Sequence, residues 1–522
     1  MRRRNRAIIW LALLLLVGTG MSGCATPPPS RAQPVMVTAT PSETPPPSPT
    51  PPVAPATIAL VPTPRPTPTP VPLPETCLLP RFAADMMLCR DASHYDLELV
   101  VDPDASRVTG SESLRYTNSE GEPLNDLVLR LLPNSPTYGG TMTVSHVLLN
   151  GQPVSPTFEL ERSAMRVPLD PALSAGESLT LSMDFGIRVP TSTRVGHGLF
   201  SNVLGVMALP NAYPLVPVYD DEGWNAEIAP VFADDVYADV ALYTVEVTAP
   251  EEWTPIASGT CESLAPGRWE CEAAPMREFT LILGSDLELV NREVEAVVVN
   301  SYYYPQHSVG GERALEVAAD ALVAFTEMFG PYPYTELDVV ETPNYLGGME
   351  YPGLVVVADR HYATLSGLEW LTAHEVAHQW WFAVVGSDQI DEPWLDEALT
   401  QYSTMLYYES VYGQERANGI VESVFRATEQ MLVRSGQDQP IGLPAEEYAR
   451  ARYWQIVYDK GALYFHELRQ TVGDEAFFEI LQAYYERNRY GIATPPDLLS
   501  AIESVTGEQH LDLYQKWVLG EG

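Results

Sequence analysis

Apolar residues recur at every second position from Tyr95 to about Tyr304. Tyr95, Leu97 and Leu99 alternate with Asp96 and Glu98, and Leu179, Leu181, Met183 and Phe185 alternate with Thr180, Ser182 and Asp184. Tyr243, Val245 and Val247 repeat the pattern, and Val297–Tyr304 is another β-rich run. Successive side chains of a strand point to opposite faces, so this period predicts strands with one buried face. Asn150-Gly151 and Asp102-Pro103-Asp104 supply turn chemistry between runs. Many short strands so punctuated predict a large antiparallel β-sandwich. After Gly310 the period becomes helical: Leu315, Ala318, Leu322, Phe325 and Phe329 share one face, and Gly330-Pro331 stops the helix. A strand-like stretch, Leu337–Glu341, follows. The remainder is mostly helical, with stripes such as Phe477, Ile480, Leu481 and Tyr484. The expected fold class is α+β and multidomain, with strands first and helices after.

The start of the chain obeys neither period. Arg2, Arg3, Arg4 and Arg6 precede an apolar run of 11 residues, Ala7–Val17, and a small-residue stretch ending at Cys24. That run is too short to span a bilayer, which takes roughly 20 residues, and it has the layout of an export signal. Met21-Ser22-Gly23-Cys24 resembles the lipobox of bacterial lipoproteins, which implies an acylated Cys24; ordinary signal cleavage nearby is the alternative. Nineteen prolines follow between Pro27 and Pro74. Proline fixes φ and removes a donor, so this stretch reads as an extended spacer that buries no core. The expected organisation is a signal over 1–23, a linker over 24–75, a β domain over 76–303 and a second domain over 304–522. The location implied is extracytoplasmic, with the membrane reached only through a lipid anchor.

Composition narrows the partners. Hydrophobic residues at 45% exclude wholesale disorder. A formal charge of −39 excludes nucleic acid, whose phosphates demand cations. Beyond Cys24 there are four cysteines in two close pairs. In an exported protein these suggest Cys77–Cys89 and Cys261–Cys271 disulfides, although four cysteines allow three pairings. A thiol zinc site is the rival reading, and the spacing lacks the C-x₂-C knuckle.

One segment carries chemistry. Leu371 to Trp381 contains H-E-x-x-H, with His374, Glu375 and His378. On a helix, i and i+4 lie one turn apart on one face, so both imidazoles can reach one metal, and Glu375 lies beside it. Two imidazoles suit zinc better than magnesium or calcium. Trp394-Leu395-Asp396-Glu397 opens a further helical stretch. Glu397 as third ligand would leave a fourth tetrahedral position open for hydrolytic chemistry. The alternative is a first-turn acid favoured by the helix dipole.

These residues resemble the gluzincin zinc metallopeptidase family of aminopeptidase N: H-E-x-x-H, eighteen intervening residues, then Glu397. Gly347-Gly348-Met349-Glu350-Tyr351 resembles the family's G-x-M-E-N motif, and Tyr458-Asp459-Lys460-Gly461 its Y-x-K-G. The resemblance spans roughly residues 92–522. It implies a saddle-like β domain followed by a thermolysin-like catalytic domain, with one zinc ion per chain and peptide substrates. It also implies Glu375 as general base, Tyr458 as oxyanion donor and Glu350 as the anchor of the substrate's α-ammonium. Gly347 and Gly348 would let an extended peptide approach, with Met349 beside them. Leu346 would floor the first side-chain pocket and favour apolar residues.

Two departures qualify this. Tyr351 replaces the motif's Asn, and an apolar stretch near Ala208 stands where many relatives carry a second amine-binding Glu, so Glu350 is expected to act alone. The sequence ends 64 residues after Tyr458, and a more open cleft is expected. The rivals are an endopeptidase or oligopeptidase on the same zinc, and an inactive peptide-binding module.

Overall fold

The computed structural model describes residues 77–521. Signal, lipobox and proline-rich segment, Cys24 included, lie outside the described residues. The alternating runs form strands as expected. Residues Tyr95, Leu97 and Leu99 of His94–Asp102 are buried while Asp96 and Glu98 are exposed. Asn150 and Gly151 both take positive φ, 49° and 75°, and join Thr141–Leu149 to Gln152–Pro153 as the tight turn their chemistry predicted.

An eight-stranded sheet dominates the first half. At its centre His94–Asp102 pairs antiparallel with Arg107–Thr117 and parallel with Ala241–Thr248. That one parallel pair departs from the all-antiparallel expectation. Smaller sheets share an apolar core with it, one of them containing the wholly buried strands Val206–Pro210 and Thr280–Gly284.

A five-stranded sheet opens the second half. Its order is Glu288–Val294, Val297–Tyr303, Glu336–Thr342, Leu354–Ala358 and Gly348–Met349, with the central pairs parallel. The two strands before residue 304 therefore belong to this sheet and not to the sandwich, so the expected boundary at 303/304 falls inside it. Helix Ser308–Phe329 makes the crossover, with Leu315, Ala318, Leu322, Phe325 and Phe329 buried. It packs on helix Leu368–His378, and the aromatic contacts Phe325–Trp380 (5.7 Å) and Phe329–Trp381 (4.9 Å) lock the end of that helix. One continuous apolar core runs from the sandwich into the helices. No helix among the described residues is long and apolar enough to cross a membrane.

Arg277 ties the halves together. Its buried guanidinium donates to the carbonyls of Ala238 (2.8 Å), Phe382 (2.9 Å) and Gly491 (2.9 Å). A Cβ on Gly386 would collide with that guanidinium, which explains a glycine there.

Cys261 and Cys271 sit directly opposite on paired strands and form a disulfide. The expected Cys77–Cys89 bridge is absent. Cys77 donates its thiol to the Ala274 carbonyl (3.3 Å), and both residues pack as small apolar groups in the core. Burial pushes each thiol up to about 12.

Replacing Arg277 by Met should cost about 2–4 kcal/mol, because two buried carbonyls and the half-buried Gly491 carbonyl lose their donors. Urea unfolding of wild type and variant measures this, and an unchanged midpoint would contradict it.

Candidate active site

Helix Leu368–His378 brings His374 and His378 to one face, and helix Pro393–Tyr412 lays Glu397 against them. His374 Nε2 and His378 Nε2 stand 3.2 Å apart, and Glu397 Oε2 lies 3.3 and 3.4 Å from them. Tetrahedral zinc with bonds of about 2.05 Å has ligand–ligand edges of about 3.3 Å, so the triangle has the size zinc requires. Glu397 Oε2 is buried and makes no hydrogen bond. An orphaned carboxylate oxygen facing two ring nitrogens is the donor set of a metal centre, and the residues fit zinc.

The far side of each ring is held. His378 Nδ1 lies 2.6 Å from Asp396 Oδ1 and 3.2 Å from Thr400 Oγ1, and His374 Nδ1 lies 3.3 Å from Thr404 Oγ1. These partners fix ring orientation and leave Nε2 free to face the site. Gln389 extends the network, donating to Asp396 Oδ2 (2.5 Å) and to Glu350 Oε1 (3.3 Å).

Glu375, 4% exposed, follows His374 on the helix. Burial, reinforced by Glu350, holds its carboxyl well above the usual range against the pull of His378. A Cβ on Gly348 would collide with Glu375 Oε1, so Gly348 is first of all a requirement of the base. Glu350 follows the edge strand Gly348–Met349, with Gln379, just past the second histidine, bonded to the Glu350 and Tyr351 carbonyls. Burial pushes Glu350 up to about 7. Tyr458 lies on a π-type turn, Trp454–Lys460, a local winding frequent at functional sites. It stacks on Trp454 (4.5 Å) and donates to Glu397 Oε1. Burial keeps its phenol well above its ordinary value, hence protonated. Lys460 bonds Asp438 (2.5 Å) and the Gln439 carbonyl (2.6 Å), a structural role.

His374, Glu375, His378, Glu397, Glu350 and Tyr458 line one cavity with Leu346, Met349 and Leu371. Gly347, with φ of +141°, donates its N–H to Asn344 Oδ1 (3.0 Å) and shapes the turn before the edge strand. The sandwich half also contributes, where sequence reasoning found no chemistry. Tyr138, His197, Asp234, Asp235 and Glu278 all reach the cavity. Carboxylate oxygens of Asp234, Glu350 and Glu397 lie within 4.8 Å of one another. Ala208 is on a buried strand, as its apolar neighbours implied. The available signal was the pair Asp234-Asp235, two acids in an otherwise apolar stretch.

Residues 313–517 match the model of the Peptidase family M1 domain. Over 462 residues the chain is 25% identical to aminopeptidase N of Streptomyces lividans, covering 83% of this chain and 50% of that protein. It is 28% identical over 258 residues to aminopeptidase M1-B of Oryza sativa subsp. japonica, covering 47% and 28% respectively. The chain thus spans half or less of the length of these relatives. The fold is that of the M1 zinc metallopeptidase of Deinococcus radiodurans, with a TM-score of 0.63 at 24% identity over 83% of this chain and 94% of that one.

Replacing Asp396 by Asn should weaken zinc affinity about 10–100-fold by loosening His378. Zinc retained against a graded chelator measures this, and retention equal to wild type would contradict the role given to Asp396.

Proposed function

We propose that the chain is an aminopeptidase that holds one zinc ion in His374, His378 and Glu397 and removes residues from the N-terminus of peptides. Bound there, zinc supplies a Lewis acid that polarises the scissile carbonyl and makes water nucleophilic at neutral pH. Glu375 takes the proton of the attacking water and returns it to the leaving amine. Tyr458, which keeps its proton, donates to the oxyanion.

The observation that carries the exopeptidase reading is a pair of carboxylates beside this machinery. Asp234 and Glu350 present oxygens within 4.8 Å of each other. An ammonium bonding two acceptors at about 2.8 Å along tetrahedral directions spans about 4.6 Å between them. That bound leaves room for the α-ammonium of a peptide, which would present only the first peptide bond to the base. Anchoring therefore rests on Glu350 and Asp234 together, in place of Glu350 alone.

The same proposal places the protein outside the cytoplasm, tethered through lipid on Cys24 with the proline-rich stretch as spacer. The Cys261–Cys271 disulfide supports an oxidising compartment. Cys24→Ser should release the protein from the membrane fraction, and retention there would overturn the tether.

Glu375→Gln should keep its zinc while turnover falls by several orders of magnitude, and Tyr458→Phe should lose about 10²–10³ in kcat. N-acetylation of a peptide should abolish its hydrolysis. Equal cleavage of free and acetylated peptide would contradict the amine anchor and favour an endopeptidase.

A further inference from the structure

Seven carboxylates line the cavity and no Lys or Arg does. Asp234, Glu350, Glu375 and Glu397 have roles above. Asp459 is taken up by Gln401 (2.8 Å) and Thr428 (3.0 Å). Asp235 accepts from Ser135 Oγ (3.5 Å) with Arg130 and Thr137 beside it, which leaves Glu278, from the sandwich half.

Glu278 is 2% exposed. One of its oxygens accepts from the Asn211 amide, which also donates to the Tyr138 hydroxyl (3.2 Å). Its other oxygen has no hydrogen-bond partner among the described residues, although the side chain borders the cavity. Arg277 is next in sequence but spends its guanidinium on the three carbonyls described above and makes no ion pair with Glu278. Burial, with Glu350 and Asp235 nearby, pushes the Glu278 carboxyl up to about 8 against Asn211 and Arg277. A carboxyl with one oxygen open to the cavity and no ion pair of its own favours a cationic ligand that completes it. The rings of Tyr138 and Tyr351 line the same space, both nearly buried. Aromatic faces beside a carboxylate suit a guanidinium or an ammonium on an alkyl stem.

Resting on the aminopeptidase reading above, we propose that Glu278, with Asp235 nearby and Tyr138 and Tyr351 as walls, makes the pocket for the substrate's first side chain selective for Arg and Lys. This replaces the apolar preference that Leu346 alone suggested. It also gives Tyr351 a purpose where the family motif has Asn.

The test uses the wild-type zinc protein with aminoacyl reporters of Arg, Lys, Leu and citrulline, the last matching Arg in shape without its charge. Arg should exceed citrulline in kcat/KM by about tenfold or more, the worth of one charge-assisted hydrogen bond. In Glu278→Gln the Arg-to-citrulline ratio should fall toward one. Hydrolysis of Leu by the wild type with Arg and citrulline equal would overturn the cation pocket and leave the aminopeptidase reading standing. A ratio unchanged in Glu278→Gln would remove Glu278 from it. No hydrolysis of any free-amino reporter would overturn both.

Discussion

Two imidazole nitrogens and one carboxylate oxygen, all buried, meet at 3.2 to 3.4 Å at the junction of two helices. Around them stand Glu350, Glu375 and Asp396, also buried. Carboxylates so crowded repel one another, and each loses hydration, so the arrangement needs a cation at its centre. The outer partners of the histidines hold the rings in that orientation, and Trp380 and Trp381 wedge the helix end against Phe325 and Phe329. The chemistry thus rests on packing as much as on ligand identity.

The β-rich half is more than a platform. Arg277 links it to the turn after the second histidine, while Asp234, Asp235 and Glu278 complete the cavity wall from the opposite side. The cavity wall is thereby divided between the halves. The second half supplies the metal-ligand triangle with Glu350, Glu375 and Asp459, and the first supplies Asp234, Asp235 and Glu278. Displacing one half against the other would disturb the acids of the cavity wall before it disturbed His374, His378 and Glu397, which lie on two neighbouring helices.

Local patterns made much of this readable. The period of two marked Tyr95–Leu99 and Leu179–Phe185 because half of each strand meets the core. The spacing of His374 and His378 fixes a metal face once a helix is granted, Glu397 offered itself as third ligand at the start of the next helical stretch, and Glu350 and Tyr458 followed from motif resemblance. What escaped was set by long-range contact. Nothing local pairs His94–Asp102 in parallel with Ala241–Thr248, or turns Cys77 toward Ala274 and away from Cys89. Gln379 and Gln389 read as ordinary polar residues until their partners are seen. Asp234 and Glu278 lie over 60 residues from any motif, and only the closure of the two halves places them in the cavity.

X-ray diffraction data collected on either side of the zinc absorption edge test the centre most directly. A single anomalous peak at about 2.0–2.2 Å from His374 Nε2, His378 Nε2 and a Glu397 oxygen is the predicted result. A peak elsewhere, such as among Glu350, His378 and Asp396, or none in fully zinc-loaded crystals, would contradict it.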